Sequence, residues 1–329
     1  MPGFSAEGQI ISARIVSVSF RCLILLAFLL TRVAASQSVY TLEAIAADEF
    51  QPKEGFTEIS GMFIDEHGNI AGEAHKQGRT VGFYWPTADS VRMLTGSMRD
   101  GQPDCEPRGI DEDGGVHGMC GNRYVIAYPG PRGDADFRNR TRNGNMPGLR
   151  ARIASLRPRT ESEDGVTIGR TSPEVPISVC AALAKGDPYA GLGTVTAPGD
   201  GPSENRKITV ILPSIYRDST VTVMVPRGIS PDGHAIVGVR DGVECVPGSS
   251  VTGRRAVMWT RSEGKWVASV LDQIPISLEV GLCAHDLRLE EANDVNDAGQ
   301  ITGKGTCADL DGNTRRIAYR LTPVSIRQP

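Results

Sequence analysis

Four aspartates in this chain are candidates for acid chemistry. Glycoside hydrolysis needs two carboxylates on either side of one bond. The candidates are Asp65, Asp111, Asp294 and Asp297. Each belongs to a segment rich in Asp, Asn and Gly, in which a turn selects aspartate for hydrogen bonds to its own backbone. We therefore interpret all four as turn residues and predict no catalytic residue.

Nucleophilic and zinc chemistry have no motif in the sequence. Gly-x-Ser-x-Gly, HExxH and CxxC are all missing. The five histidines are scattered: His67 and His234 in predicted turns, His117 in a predicted strand, and His75 and His285 in predicted loops. This scatter favours packing or solvent-exposed roles for the histidines.

Calcium is the one metal that the residue pattern suggests. Asp309–Asn313 and Asp111–Gly114 offer alternating oxygens around a glycine, which is part of the spacing that hard cations prefer. Neither segment carries the distal bidentate acid of an EF-hand. We predict no cofactor, with bound calcium as the alternative.

An arginine-rich segment is the candidate for anion binding. Phe137 to Thr160 contains seven Arg and no acid. The candidate residues are Arg138, Arg140, Arg142, Arg150 and Arg152. Arginine pairs with anionic oxygens of glycans or envelope phosphates, and the alternative is a solvated insertion around residues 132–160. The net charge of −4 argues against a nucleic-acid partner.

The first 36 residues are predicted to be a signal peptide. Arg14 and Arg21 precede an apolar run from Cys22 to Leu30, and Ala34-Ala35-Ser36 supplies small residues for cleavage. The run is about half the length that a spanning helix needs, and no later segment is predicted to span a membrane. We expect a secreted or periplasmic protein, with residues 37–329 as its mature domain.

A repeated hairpin organises the mature chain. Its four clear copies are Ser60–Gly72, Arg108–Gly118, Arg227–Gly238 and Asn293–Gly303, and Ser162–Gly169 is a weaker copy. Each copy combines a short apolar strand, a turn residue, a glycine and a second strand. A strand with an aromatic residue follows most copies, as in Gly82-Phe83-Tyr84-Trp85.

These segments resemble the HAF repeats of bacterial extracellular repeat proteins, which read roughly Ile-Asn-Asp-x-Gly-x-Ile-x-Gly followed by Ala-Phe-x-Trp. The resemblance covers most of residues 37–329, except about Asp134 to Arg206. It implies an extracellular module similar to a β-propeller and brings no catalytic residues with it.

Counting hairpins predicts the architecture. The glycines that close them, Gly72, Gly118, Gly169, Gly238 and Gly303, predict five blades if each hairpin forms the last two strands of a blade. Six blades is the alternative if Thr171 to Arg206 contains another. The terminal strands Val39 to Ile45 and Arg316 to Leu321 are predicted to complete the first blade together.

Six cysteines remain after the leader, and an even number in an exported protein predicts disulfides. They are Cys105, Cys120, Cys180, Cys245, Cys283 and Cys307. Sequence alone permits fifteen pairings. The two cysteine pairs around the second and fifth hairpins occupy equivalent positions, so we predict bonds 105–120 and 283–307, which leaves 180–245.

Three functions are consistent with these features. The first is a non-enzymatic binding module of the cell envelope or extracellular space, with variable loops that contact a glycan, a protein or an envelope component. The alternatives are a secreted glycoside hydrolase or lyase with carboxylates in a propeller channel, and a structural component of a surface assembly.

Overall fold

The computed structural model describes residues 39–50, 55–87, 91–94, 105–111, 114–120, 123–129, 135–138, 160–170, 193–198, 207–212, 221–243, 253–278 and 282–324. Val39–Val324 forms one compact unit, and the predicted leader lies outside the described residues. Within them, the only helical elements are α1 (Ala47–Phe50) and a 3-10 turn (Leu271–Gln273). The prediction of an all-β protein is confirmed, and no described helix is long and apolar enough to cross a membrane.

Three sheets have four strands each, which follow one another in chain order. Sheet 1 consists of β2 (Glu58–Ile64), β3 (Ile70–Lys76), β4 (Arg79–Trp85) and β5 (Arg92–Met93). Sheet 2 consists of β6 (Cys105–Ile110), β7 (Val116–Cys120), β8 (Arg123–Pro129) and β9 (Ala135–Arg138). Sheet 4 consists of β13 (Val221–Ile229), β14 (Ala235–Val243), β15 (Arg255–Ser262) and β16 (Lys265–Val270).

The two other sheets differ in strand number and order. Sheet 3 consists of β10 (Thr167–Arg170), β11 (Gly193–Pro198) and β12 (Lys207–Ile211). Sheet 5 has five strands in the order β17 (Ile276–Leu278), β1 (Val39–Ala46), β20 (Thr314–Val324), β19 (Ile301–Ala308) and β18 (His285–Val295).

The predicted hairpins exist, but they occupy a different place in the sheets. In sheets 1, 2 and 4 the hairpin forms the first two strands, and the aromatic strand is the third. Our assignment of each hairpin to the last two strands of a blade was therefore wrong. The aromatic strand follows the hairpin by a short connection, so it pairs with the hairpin's second strand and buries residues such as Phe83 and Trp259.

All five repeat copies make the same turn. The glycine N–H donates to the carbonyl oxygen of the Asp, Ser or Asn three residues earlier, at 2.9 to 3.0 Å. The glycines are Gly68, Gly114, Gly165, Gly233 and Gly299, with φ between 70° and 83°. Such a φ favours glycine, which explains why this position recurs. In the weak copy the first strand is reduced to a single bridge between Glu161 and Thr167.

A one-residue bulge recurs in the hairpins of sheets 1, 2, 4 and 5. The extra residues on the first strand are Met62, Arg108, Arg227 and Asn293. The glycines next to the bulges on the second strand are Gly72, Gly118, Gly238 and Gly303. A Cβ at any of these glycines would collide with the carbonyl oxygen two residues before the bulge. The closing glycine of the repeat is thus required by the bulge.

The terminal strands lie in one sheet, as predicted. β1 pairs antiparallel with β20 from Val39↔Val324 to Ala46↔Ile317. They complete the sheet of the last hairpin, however, and not that of the first. The reason is the tight turn after β19, which places β20 beside that strand and leaves the other edge of β20 for β1. β17 then adds parallel to β1.

Apolar clusters lie between consecutive sheets. Trp259 and Val195 belong to a cluster of sheets 3 and 4, and Leu271 and Leu289 to one of sheets 4 and 5. Further clusters join sheet 5 to sheet 1 and sheet 1 to sheet 2. Contacts therefore link the sheets in the order 3, 4, 5, 1, 2. A ring would also join sheet 2 to sheet 3, and residues 139–159 between them lie outside the described chain.

Candidate functional site

Two of the four candidate aspartates hold their own turns together. Asp65 is 4% exposed, and its Oδ1 accepts hydrogen bonds from the amides of His67 and Asn69 at 2.9 and 2.8 Å. Asp111 Oδ1 accepts from the amide of Gly115 at 2.6 Å. These are the turn roles that the sequence predicts for both residues.

The two other aspartates connect neighbouring sheets. Asp294 lies in β18 and not in a turn, and its Oδ2 accepts from the amide of Ile64 in sheet 1 at 3.1 Å. Asp297 lies in the turn of sheet 5, where its Oδ1 accepts from the amide of Asp232 in the turn of sheet 4 at 2.9 Å. All four carboxylates thus accept backbone hydrogen bonds.

The two calcium candidates are the same type of turn. Asp309 Oδ1 accepts from the amides of Asp311 and Asn313, and Asp309 Oδ2 is 3.3 Å from Arg315 Nε. Asp111 Oδ2 is 2.7 Å from Nε2 of the buried His117. In the part of the chain that the structure describes, no three His, Cys, Asp or Glu side chains are grouped as metal ligands.

Two histidines lie elsewhere than predicted. His75 lies in β3 and His285 in β18, although the sequence placed both in loops. His75 Nδ1 is 3.0 Å from the hydroxyl of Thr80 across the strand pair β3–β4. β3 continues past the closing glycine of its hairpin, and β18 begins before the first residue of its repeat copy, so both histidines lie in strands.

The arginine-rich candidate falls mostly outside the described residues. The residues outside the described part are Arg140, Arg142, Arg150 and Arg152. Arg138 lies in β9, the fourth strand of sheet 2. The predicted irregular insertion around 132–160 therefore contains a regular strand at Ala135–Arg138, because these residues pair with Ile126–Pro129.

One disulfide prediction is confirmed, the bond between Cys283 and Cys307. Cys105 is also disulfide-bonded, and the strand register places Cys120 opposite it. Both observations agree with the 105–120 bond, which stays a prediction. Cys180 and Cys245 lie outside the described residues.

Three arginines converge between sheets 4 and 5, a group we call the arginine cluster. Arg240 on β14 pairs in register with Arg255 on β15, and Arg288 comes from β18. Nε of Arg240, Nη1 of Arg255 and Nε of Arg288 are buried and have no hydrogen-bond partner among the residues that the structure describes. Gly253 leaves room for Arg288, since a Cβ there would collide with its guanidinium.

Asp272 on the 3-10 turn is the carboxylate of this cluster. Its Oδ2 is 3.4 Å from Arg255 Nε, and 10% of the Asp272 side chain is exposed. Burial raises the pKa of Asp272 above its ordinary value, although the charges of Arg255, Arg288 and Arg240 act in the opposite direction. Three guanidinium groups around one carboxylate leave two positive charges in excess.

The charges beside the cluster balance one another. Arg254 Nε is 3.2 Å from Asp241 Oδ2 and also pairs with Glu291, and Lys304 Nζ is 3.4 Å from Glu291 Oε1. Burial lowers the pKa of Arg254, but Glu291 and Asp241 outweigh it and raise the pKa overall. The excess positive charge therefore belongs to Arg240, Arg255 and Arg288.

This arrangement is suited to binding an oxyanion. One third of the Arg255 side chain is exposed, so the cluster borders on solvent, while the three nitrogens without acceptors are themselves buried. A buried N–H without an acceptor costs about 1–3 kcal/mol, and guanidinium groups make strong, directional hydrogen bonds to anionic oxygens. An anion that accepts from these donors would remove that cost.

A second polar group lies between sheets 1 and 2. The side chain of Glu73 on β3 is 18% exposed, and its Oε2 is 3.6 Å from His75 Nε2. Burial raises the pKa of Glu73; the charge of His75 lowers it, that of Glu106 raises it and that of Arg108 lowers it. Glu106 and Arg108 form an ion pair on β6, and the charges of both act on Glu73 across this interface.

Sequence reasoning missed both groups. Arg240, Arg255 and Arg288 are 15 and 33 residues apart and share no motif. The nearest signal in the sequence is that Arg240 lies two residues after Gly238, which closes a predicted hairpin. Only the pairing of β14 with β15 and the packing of β18 against them bring these residues together.

Comparisons with known proteins identify no family. No protein-family profile matches the chain, and neither does any curated protein. Among solved structures, the chain is similar to a BT0996 RGII complex (12% identity, TM-score 0.27, covering 89% of this chain and 95% of the matched one). It is also similar to XC5397, a gluconolactonase from Xanthomonas campestris (13%, TM-score 0.25, 89% and 93%), and to a glycoside hydrolase (11%, TM-score 0.26, 89% and 95%). These TM-scores are too low to carry an argument about fold or function.

Proposed function

We propose that this chain is an exported binding module whose ligand carries an anionic group that docks on the arginine cluster. The observation that carries the proposal is a set of three buried guanidinium N–H groups near Asp272 that have no acceptor in the described part of the chain. Binding is favoured over hydrolysis at the four aspartates first considered, because Asp65, Asp111, Asp294 and Asp297 all accept backbone hydrogen bonds.

Export and architecture are part of the same proposal. The Cys283–Cys307 disulfide is typical of an oxidising compartment, in agreement with the predicted signal peptide. The described strands form five sheets that contact one another in the order 3, 4, 5, 1, 2, which supports a five-bladed propeller. The resemblance to HAF repeats remains a prediction. In such a scaffold the arginine cluster lies between two blades.

Calorimetric titration with inorganic phosphate tests the proposal. The mature chain should bind phosphate saturably, and Arg255→Gln or Arg288→Gln should weaken binding at least about tenfold, because each removes charge-assisted hydrogen bonds. Arg316→Gln is the matched control, since Arg316 is more than half exposed and pairs with Glu58 away from the cluster. Equal affinity of the parent and both cluster variants would contradict the proposal.

A second candidate function is supported by the carboxylates between sheets 1 and 2. Burial favours the protonated form of Glu73, and Glu106 lies near enough for its charge to raise the pKa of Glu73 further. One carboxyl group with a raised pKa beside another is the arrangement of a general acid and its partner. The candidate is a secreted carbohydrate-active enzyme that acts at this interface.

Hydrolysis of chromogenic glycosides and acidic polysaccharides tests this candidate. Glu73→Gln should abolish any turnover of the mature chain, whereas Glu163→Gln, an exposed acid in the turn of sheet 3, should not. Turnover that survives Glu73→Gln would refute the assignment of Glu73, and a chain inactive on the whole panel would remove this candidate for those substrates.

A further inference from the structure

The positive charge of the arginine cluster implies a charge class for its ligand. Arg240, Arg255 and Arg288 carry three charges, and Asp272 removes one. Among the described residues beside the cluster, the charges of Arg254 and Lys304 cancel those of Asp241 and Glu291. A ligand group with two negative charges would therefore neutralise the cluster, whereas a single negative charge would leave it positive.

The strands that carry the three arginines bear on the shape of the ligand group. They reach the cluster from β14, β15 and β18, which are three strands of two different sheets. A carboxylate has two oxygens in one plane, whereas a phosphate monoester offers three terminal oxygens that point in different directions. Arg240 and Arg255 are cross-strand neighbours on one face of sheet 4, and Arg288 comes from sheet 5. A group with three terminal oxygens can accept from donors of both sheets at once.

Asp272 is placed to remain in the cluster as a fixed counter-charge. It is held on the 3-10 turn beside Arg255, with 10% of its side chain exposed. The groups that face it are Arg255 from β15, Arg240 from β14 and Arg288 from β18. Tyr319 from β20 is also near, and it stays neutral because burial first, and then Glu291 and Asp272, raise its pKa well above the ordinary value.

We infer that the arginine cluster is a site for a phosphomonoester dianion, and that Asp272 sets its residual charge. This inference rests on the proposed function, since it names the ligand group that the same cluster takes. Asp272 is a positioning and charge-setting residue here, because the arginines and not Asp272 contact the ligand.

Methyl phosphate and methyl sulfate form a matched pair of probes. Both are tetrahedral and of similar size, but at pH 8 methyl phosphate is a dianion, since its second pKa is about 6, and methyl sulfate is a monoanion. We expect the mature chain to bind methyl phosphate at least about tenfold more tightly at equal ionic strength. Equal affinities, or tighter binding of methyl sulfate, would overturn the dianion inference and leave anion binding at the cluster intact. Binding of neither probe would overturn the proposed function as well.

Asp272→Asn separates a charge role from a structural one. If Asp272 sets the charge, the variant binds both probes more tightly and gains more for methyl phosphate, because Coulomb energy scales with ligand charge. If Asp272 only holds Arg255 in place, the variant binds both probes more weakly, which would overturn this part of the inference. Glu163→Gln removes the same charge from the turn of sheet 3 and should change neither affinity.

Discussion

At the scale of single residues, Asp272 decides how much positive charge the arginine cluster presents. Its ionised form is disfavoured by burial and supported by three arginines. Because burial is the larger effect, the pKa of Asp272 lies above the ordinary value of an aspartate. Asp272 therefore takes up a proton at a less acidic pH than an exposed aspartate does, and the cluster then gains one positive charge.

Methyl sulfate affinity should rise as the pH falls. The probe remains a monoanion from about pH 7 to about pH 4, so its affinity reports the charge of the protein. Protonation of Asp272 adds a positive charge, and we expect tighter binding toward pH 4 in the parent chain and a much smaller change in Asp272→Asn. Calorimetric titrations at constant ionic strength measure this. An affinity that falls on acidification, or an equal rise in the variant, would contradict the role of Asp272.

At the scale of elements, the bulged hairpin is the unit that the repeat encodes. The turn glycine supplies a positive φ, and the closing glycine makes room for a carbonyl oxygen beside the bulge. Asn293, the bulge residue of sheet 5, donates to the carbonyl oxygen of Gly61 at 2.8 Å. The bulge thus bonds one sheet to the next as well as bending its own strand.

Gly303→Ala should destabilise the protein strongly. A Cβ at Gly303 would collide with the carbonyl oxygen of Glu291 and would lie 2.7 Å from the Tyr319 hydroxyl. Overpacking of this kind costs about 1–3 kcal/mol, which thermal or urea unfolding would measure. The matched control is Gly169→Ala in the weak copy, where a Cβ would meet only the Thr194 hydroxyl, at 3.1 Å. Equal losses for the two variants would show that the bulge is not what requires glycine.

The sequence predicts the hairpins well because their requirements are local. Turn chemistry and glycine spacing identify all five copies, and the aromatic strands follow from them. The order of strands within a sheet depends on which edge the next strand reaches, so the hairpins were assigned to the wrong end of each sheet. The arginine cluster depends on pairing and packing between distant segments such as Arg255 and Arg288, which no local pattern reports.

At the scale of the whole molecule, sheet 5 joins the two ends of the described chain. It combines β1 from the beginning with β18–β20 from the end, and it packs against sheets 4 and 1. The Cys283–Cys307 bond links the segment that enters β18 to β19 within this sheet. The same sheet provides Arg288, so its stability bears on both the fold and the ligand site.

Replacement of both Cys283 and Cys307 by Ala should lower the free energy of unfolding by about 3 kcal/mol, because the bond closes a loop with a sequence separation of 24. Urea unfolding of the variant and the parent, both without reductant, measures the difference. A change below about 1 kcal/mol would show that sheet 5 holds this segment without the bond.

A crystal structure of the mature chain grown with methyl phosphate would test the phosphate site most directly. We expect a phosphate group between sheets 4 and 5, with its oxygens about 3 Å from guanidinium nitrogens of Arg240, Arg255 and Arg288 and with Asp272 still beside Arg255. A structure at saturating probe in which the three guanidinium groups bond only to protein groups, with the phosphate elsewhere or not bound, would contradict it.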